Sequence, residues 1–199
     1  MTRMPIIPKT VQHRPKGLID CSEITETLIF PGQDRRSLYD QVRGLLKDGY
    51  LWPVAHMKSG KKLYLMQPDH ILIADVLLRL REFGVKGSEH GPYDAAAFAL
   101  RDWKGEKPDG AEPSPAAHVI REYEMGIEGW VFELWSFLNP KTGKVIFEGR
   151  IHHAARDQAT PLKNGGSSAV VNRGCFAVDL TDALDRIHPR GKAKREALN

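Results

Sequence analysis

Cysteine is scarce in this chain: Cys21 and Cys175 are far apart and outside any Cys-x-x-Cys pattern. That argues against a disulfide scaffold, and two reduced thiols in a cytosolic protein are expected. Long hydrophobic runs are also lacking. Nothing approaches the roughly 18 consecutive apolar residues of a membrane helix, so no membrane partner is expected. Residues 1–16 carry charges and Pro5, Pro8 and Pro15 but no apolar core of a secretory signal, and none is expected. The phosphate-loop pattern Gly-Lys-Ser/Thr is missing too. Gly165-Gly166-Ser167-Ser168 precedes a strand-like segment and reads as a connection.

What is present suits one or two globular domains: 199 residues, 41% hydrophobic and 27% charged. The net charge of +4 is unevenly spread. Residues 1–86 hold 14 Lys/Arg against 9 Asp/Glu, and residues 87–199 hold 15 against 16. A basic first half suits a polyanion, because Lys/Arg contacts to phosphate release counterions.

Residues 1–17 mix the three prolines with Arg3, Lys9, Arg14 and Lys16. They read as an extended, flexible basic arm, either a solvated tail or a tracker of phosphates. Ser22 and Glu23 open a short helix in which Ile24 and Leu28 face one way. It should stop before Pro31-Gly32, a turn signal. Asp34 caps a second helix over 34–48, with Leu38, Val42, Leu45 and Leu46 as its buried stripe. That leaves Arg35, Arg36, Ser37, Tyr39, Asp40 and Arg43 on or near the outer surface. Two arginines at a helix entry can form bidentate contacts to a guanine edge or to phosphate, and Tyr39 can donate to phosphate. The alternative is an ordinary solvated amphipathic helix.

Residues 51–65 read as a hairpin. Trp52, Val54 and Met57 lie on its outgoing strand, Leu63 and Leu65 on its return, around the turn Lys58-Ser59-Gly60-Lys61. His56, Lys58, Ser59, Lys61, Lys62 and Tyr64 at or beside the tip would clamp phosphates, or else the lysines blunt an exposed edge. A helix over 68–83 follows, with Ile71, Leu72, Val76, Leu77 and Leu80 as its stripe and Gly84 after its end. It is expected to pack across this domain or to form a dimer contact.

The order helix, turn, Arg35-Arg36-Ser37-Leu38-Tyr39, Gly44-Leu45-Leu46, then Lys58 to Tyr64, Asp69 and Leu80-Arg81-Glu82-Phe83-Gly84 resembles a MerR-type winged helix-turn-helix over residues 20–85. Ser59, Gly60, Lys62, Tyr64, Asp69 and the Leu80–Gly84 segment match that family in type and spacing. The chain departs from it at Tyr39-Asp40-Gln41 and in having no long heptad helix after Gly84. The resemblance implies double-stranded DNA as partner, the helix over 34–48 in the major groove and the 56–64 wing on the backbone.

Beyond residue 86, an Ala-rich helix over 93–103 and a Gly/Pro loop over 105–115 read as a helix and linker within 87–116. His118–Met125 and Trp130–Leu138 read as strands, joined through the Asn139–Gly143 loop to a return at Val145-Ile146-Phe147. Val131, Glu133, Trp135 and Phe137 should face one way, and Phe132, Leu134 and Leu138 the other. A loop over 156–168, a strand over 169–178 and a helix over 181–188 complete a small α+β unit at 117–188, before a basic tail at 189–199. Adjacent His152 and His153 should point to opposite faces and so cannot easily share a metal ion. Trp130, Phe132, Trp135 and Phe147 suit core or dimer packing.

The expected whole is an α+β chain: an N-terminal winged helix-turn-helix at 18–86 and a C-terminal unit built on an antiparallel hairpin. Its expected role is a sequence-specific transcriptional regulator of bacterial or phage type, cytoplasmic and nucleoid-associated, without cofactor, metal or enzymatic activity. A homodimer is expected, with a small-molecule or protein effector as a candidate partner of the C-terminal unit. Two alternatives stand beside it. One is a DNA-targeted enzyme using His152, His153, Cys175 and Asp157; the other is a protein-interaction module on a winged-helix platform.

Overall fold

The computed structural model describes residues 8–58, 63–87, 91–104, 106–156 and 171–188. The chain divides into two units, Met1–Asp75 and Val76–Asn199. Each combines helices with a three-stranded sheet, so the fold is α+β.

In the first unit, helix α1 runs Cys21–Leu28. Asp20, not the expected Ser22, is its N-cap. The Asp20 carboxylate accepts from the backbone N–H groups of Ser22 at 2.7 Å and Glu23 at 3.1 Å, and Glu23 accepts from Asp20 N at 2.9 Å. This reciprocal box needs an acidic residue three places after the cap, and Glu23 stands at that distance from Asp20 rather than from Ser22. Ile29 turns extended ahead of Phe30-Pro31, and Gly32 takes a φ of +84° that L side chains rarely adopt. Helix α2 (Arg35–Lys47) then starts on Asp34, whose carboxylate accepts from Ser37 N at 2.7 Å. Leu38, Val42 and Leu45 are buried, each worth roughly 1.5–3 kcal/mol. Leu46, expected in that stripe, is half-buried. The helix ends where Tyr50 N bonds Leu45 O at 2.9 Å, past Gly49 at φ +77°.

Strands β2 (Ala55–Met57) and β3 (Leu63–Leu65) pair antiparallel, with His56 opposite Tyr64. Trp52, expected on the outgoing strand, lies outside it, since Pro53 has no N–H for a ladder. Its ring packs edge-on against His70 at 4.3 Å. Lys9–Val11, inside the expected arm, form strand β1, which pairs parallel to β2 with Thr10 opposite His56. The turn expected at Ser59-Gly60-Lys61 lies outside the described residues.

Helix α3 (His70–Glu82) crosses from one unit into the next. A stripe is expected, yet the helix is buried nearly all round: Ile71 to Ala74, Val76 to Leu78 and Leu80 are all inside.

The second unit opens with α4 (Pro92–Arg101) and α5 (Pro115–Glu124). The strand expected at His118–Met125 is helical. Ser114 accepts from Ala117 N at 3.0 Å, Pro115 occupies the first turn, and Ala116, Val119 and Tyr123 line the buried side at helical spacing. Within the 105–115 loop, expected as a linker, Ala111 is buried and Glu112 O accepts from Trp103 Nε1 at 3.0 Å.

Strands β4 (Trp130–Leu138), β5 (Val145–His153) and β6 (Val171–Asp179) form an antiparallel sheet in the order β5-β4-β6, followed by α6 (Thr181–Ile187). Strand β5 continues well past the expected Phe147. Trp130, Phe132, Leu134 and Val178 are buried on one face. Helix α4 lies against β5 at Gly149, where an added Cβ would sit 2.7 Å from Ala95 O and 2.8 Å from Ala99 Cβ. The glycine and the alanine run are one device: small residues on both sides let helix and strand backbones touch. A register shift opposite Ser136 and Phe137 leaves Arg173 as an extra residue in β6, and Phe137 is buried with its ring stacked on Trp135 at 6.4 Å.

Candidate nucleic-acid interface

The outer surface of α2 follows from its period. At about 100° per residue, Arg36, Asp40, Arg43 and Lys47 fall on one side, opposite Leu38, Val42 and Leu45. All four are exposed. Arg36 makes no side-chain hydrogen bond or ion pair with the described residues, which leaves its planar fork available to a partner. The Arg43 guanidinium lies 5.8 Å from the centre of the half-buried Tyr39 ring, a cation–π contact that holds both side chains on this surface.

The other expected site residues separate into two groups. Arg35 is turned back toward α1, where it pairs with Glu26 and donates to Ser22 Oγ at 3.1 Å. It braces the helix pair. Ser37 spends its N–H on the Asp34 cap and accepts from Gln41 Nε2 at 3.4 Å. His56 Nε2 lies 3.0 Å from Thr10 Oγ1, and its ring is 6.3 Å from Tyr64 across the sheet. Thr10, His56 and Tyr64 thus form one row over three strands. Lys58 is exposed at the end of β2, its N–H bonded to Val11 O at 3.0 Å. Ser59, Lys61 and Lys62 lie outside the described residues.

Lys47, which is not among the residues the sequence reading set on the outer surface, stands exposed on the same side of the helix. The spacing Arg36, Arg43, Lys47 shows it, once the outer side of the helix is followed to its last turn. Arg14, by contrast, is spent on structure: it pairs with Glu23 and donates through Nε to Leu18 O at 3.0 Å.

In the second unit, His152 and His153 do point to opposite faces. His153 Nδ1 accepts from the backbone N–H groups of Ala155 at 3.2 Å and Arg156 at 3.1 Å, and its ring meets Trp130 edge-on at 5.5 Å. His118 sits between Trp103 and Trp130 in the same run of rings. These are packing roles. His152 Nε2 lies 3.3 Å from Glu133 Oε1, and Glu133 also accepts from Arg150 at 2.8 Å and Trp135 Nε1 at 2.9 Å. Burial alone would push the Glu133 carboxyl up. The hydrogen bonds from Trp135 and Arg150, with the Arg150 and His152 charges, outweigh it and hold the carboxyl below its usual range. Among the described residues no group of three or more His, Cys, Asp or Glu side chains could hold a metal ion. An open cleft of about 470 Å³ is lined by Phe83, Phe176, Arg79, Asp179 and Asp182. No helix among the described residues is long and apolar enough to cross a membrane.

No family model matches the chain, nor does any curated protein or solved structure.

Proposed function

We propose that the first unit is a winged helix-turn-helix of MerR-like type that binds double-stranded DNA, and that the chain is a transcriptional regulator. The observation that carries this reading is the outer side of α2, where Arg36, Arg43 and Lys47 stand together with one acidic residue, Asp40, among them. A capped turn precedes this helix and a hairpin bearing Lys58 follows it. In this reading Arg36, near the helix N-terminus, contacts a base edge, while Arg43 and Lys47 contact phosphates farther along. Arg35, held by Glu26 and Ser22, keeps the two helices in register instead of touching DNA. The cleft beside Phe83 and Phe176 is a candidate seat for an effector.

Selection of bound duplexes from a random pool tests the reading and yields the sequence for quantitative work. On that sequence Arg36→Ala should weaken binding by about 1–3 kcal/mol and relax specificity at one position. Lys47→Ala should weaken all duplexes alike and reduce the salt slope by about 0.9. Equal loss from Arg36→Ala on selected and scrambled duplexes would remove the base-reading role.

A further inference from the structure

We infer that the end of the second unit's sheet, at the β4–β5 loop and the start of β6, is a second phosphate-contacting surface, independent of α2. This rests on the reading of the chain as a DNA-binding protein and extends it to a region with no assigned role.

The register brings the pieces together. Leu138 of β4 lies between Val145 of β5 and Val171 of β6, so the 139–144 loop and residues 171–173 share one end of the sheet. Strand spacing places β5 and β6 about 10 Å apart across β4, within reach of successive phosphates on one backbone. Lys141, Lys144 and Arg173 are all exposed there, and none makes a side-chain hydrogen bond or ion pair with the described residues.

Among the described residues no carboxylate pairs with them. Residues 138–147 and 171–178 contain neither Asp nor Glu. The nearest acids along β4 and β5 are committed: Glu133 to Arg150 and Trp135, Glu148 to Lys104. Asp179 stands six residues from Arg173, about 20 Å along an extended strand. A local charge of +3 therefore sits in a half of the chain, 87–199, where acids outnumber Lys and Arg by 16 to 15.

The loop is built to hold this shape. Asn139 Oδ1 accepts from Lys141 N at 3.0 Å and Thr142 N at 3.3 Å, and Asn139 N closes on Lys144 O at 2.9 Å. Gly143 takes a φ of +65°. The lysine backbones are thus fixed while their ammonium groups stay in water. Val145, Ile146 and Val171, each at least 42% exposed, add apolar surface beside the cations. The end of such a sheet can lie along a duplex backbone, with cations on phosphate and aliphatic groups against sugar.

The test is the salt dependence of duplex binding by the full chain, with Lys141→Ala/Lys144→Ala/Arg173→Ala beside the parent. All three side chains are exposed, so the thermal midpoint should be unchanged, and its constancy is the folding control. The slope of log affinity against log salt should become shallower by about 2.7, since each of the three cations neutralises one phosphate and supplies about 0.9 of it. The loss of affinity should be the same on selected and scrambled duplexes. An unchanged slope in the triple variant, with Arg36→Ala still weakening binding, overturns this surface and leaves the α2 reading standing. Absence of duplex binding by the parent overturns both. If the triple variant keeps its duplex affinity but loses retention on phosphatidylserine vesicles, the surface is a membrane contact and the inference is wrong.

Discussion

Replacing Gly149 with alanine should destabilise the second unit by a predictable amount. The new Cβ would meet Ala95 O at 2.7 Å and Ala99 Cβ at 2.8 Å, with Ala95 C at 3.3 Å. Ordinary contacts of these kinds lie near 3.4 Å or beyond, so α4 must move off β5 by roughly 0.5–1 Å. One of the obstructing atoms is a helix carbonyl that no rotamer change can withdraw. Such overpacking typically costs about 1–3 kcal/mol. For a unit of this size that is a fall in thermal midpoint of roughly 3–10 °C. Gly149 is not among the positive-φ glycines, so no backbone strain enters and the effect is steric alone. Gly174→Ala on neighbouring β6 is the matched control. Its nearest atom is Ser136 Oγ at 3.9 Å, and it should move stability by less than about 0.5 kcal/mol. Urea unfolding followed by near-ultraviolet circular dichroism reads both. Equal midpoints for Gly149→Ala and the parent would mean that α4 is not seated on β5 as described.

The Glu133 carboxyl is held below its usual range, so its contribution to stability is complete above the unfolded value near about 4.3 and is lost as pH falls through the folded value. Unfolding midpoints between pH 6 and pH 3 should drop more steeply for the parent than for Glu133→Gln. Parallel curves would refute the coupling to Trp135 and Arg150. Burial, with Asp20 beside it, pushes the Cys21 thiol up to about 11, whereas Cys175 is exposed. A thiol reagent at pH 8 should therefore modify Cys175 in the native protein and Cys21 only after unfolding, as mass mapping of the labelled peptides would show. Equal labelling rates would contradict the buried position of Cys21.

Much of the first unit was legible because its signals are local. Asp34, the 38/42/45 spacing and Gly49 together delimit α2; in the second unit, alternating aromatics likewise delimit β4 at Trp130 and Leu138. Legibility failed where the deciding partner was elsewhere. His118–Met125 reads as a strand if apolar residues are counted from His118, but the start signal is Ser114-Pro115, upstream of that window. β1 has a three-residue sequence with no strand pattern of its own; its existence depends on β2, more than forty residues later. Arg35 and Arg36 look equivalent in sequence. Only the approach of α1, carrying Glu26 and Ser22, turns one into a brace, while the other makes no side-chain bond to the described residues. On the second unit, the basic end of the sheet is invisible in a running charge count, because register rather than sequence proximity joins Arg173 to the loop.

The parallel pairing of β1 with β2 has a consequence for how the first unit comes to exist. Lys9 lies opposite Ala55 and Val11 opposite Met57, so α1, its turn and α2 are the contents of a loop closed by hydrogen bonds at both ends. Closing a loop of that length costs entropy that the local helix contacts cannot offset early. The clasp should therefore form late in folding and release early on heating. In native-state hydrogen exchange, the amides of Lys9, Val11 and Lys58 should open at lower free energy than those in the middle of α2. Helices α1 and α2 thus lie between two remote stretches of chain that pair with each other.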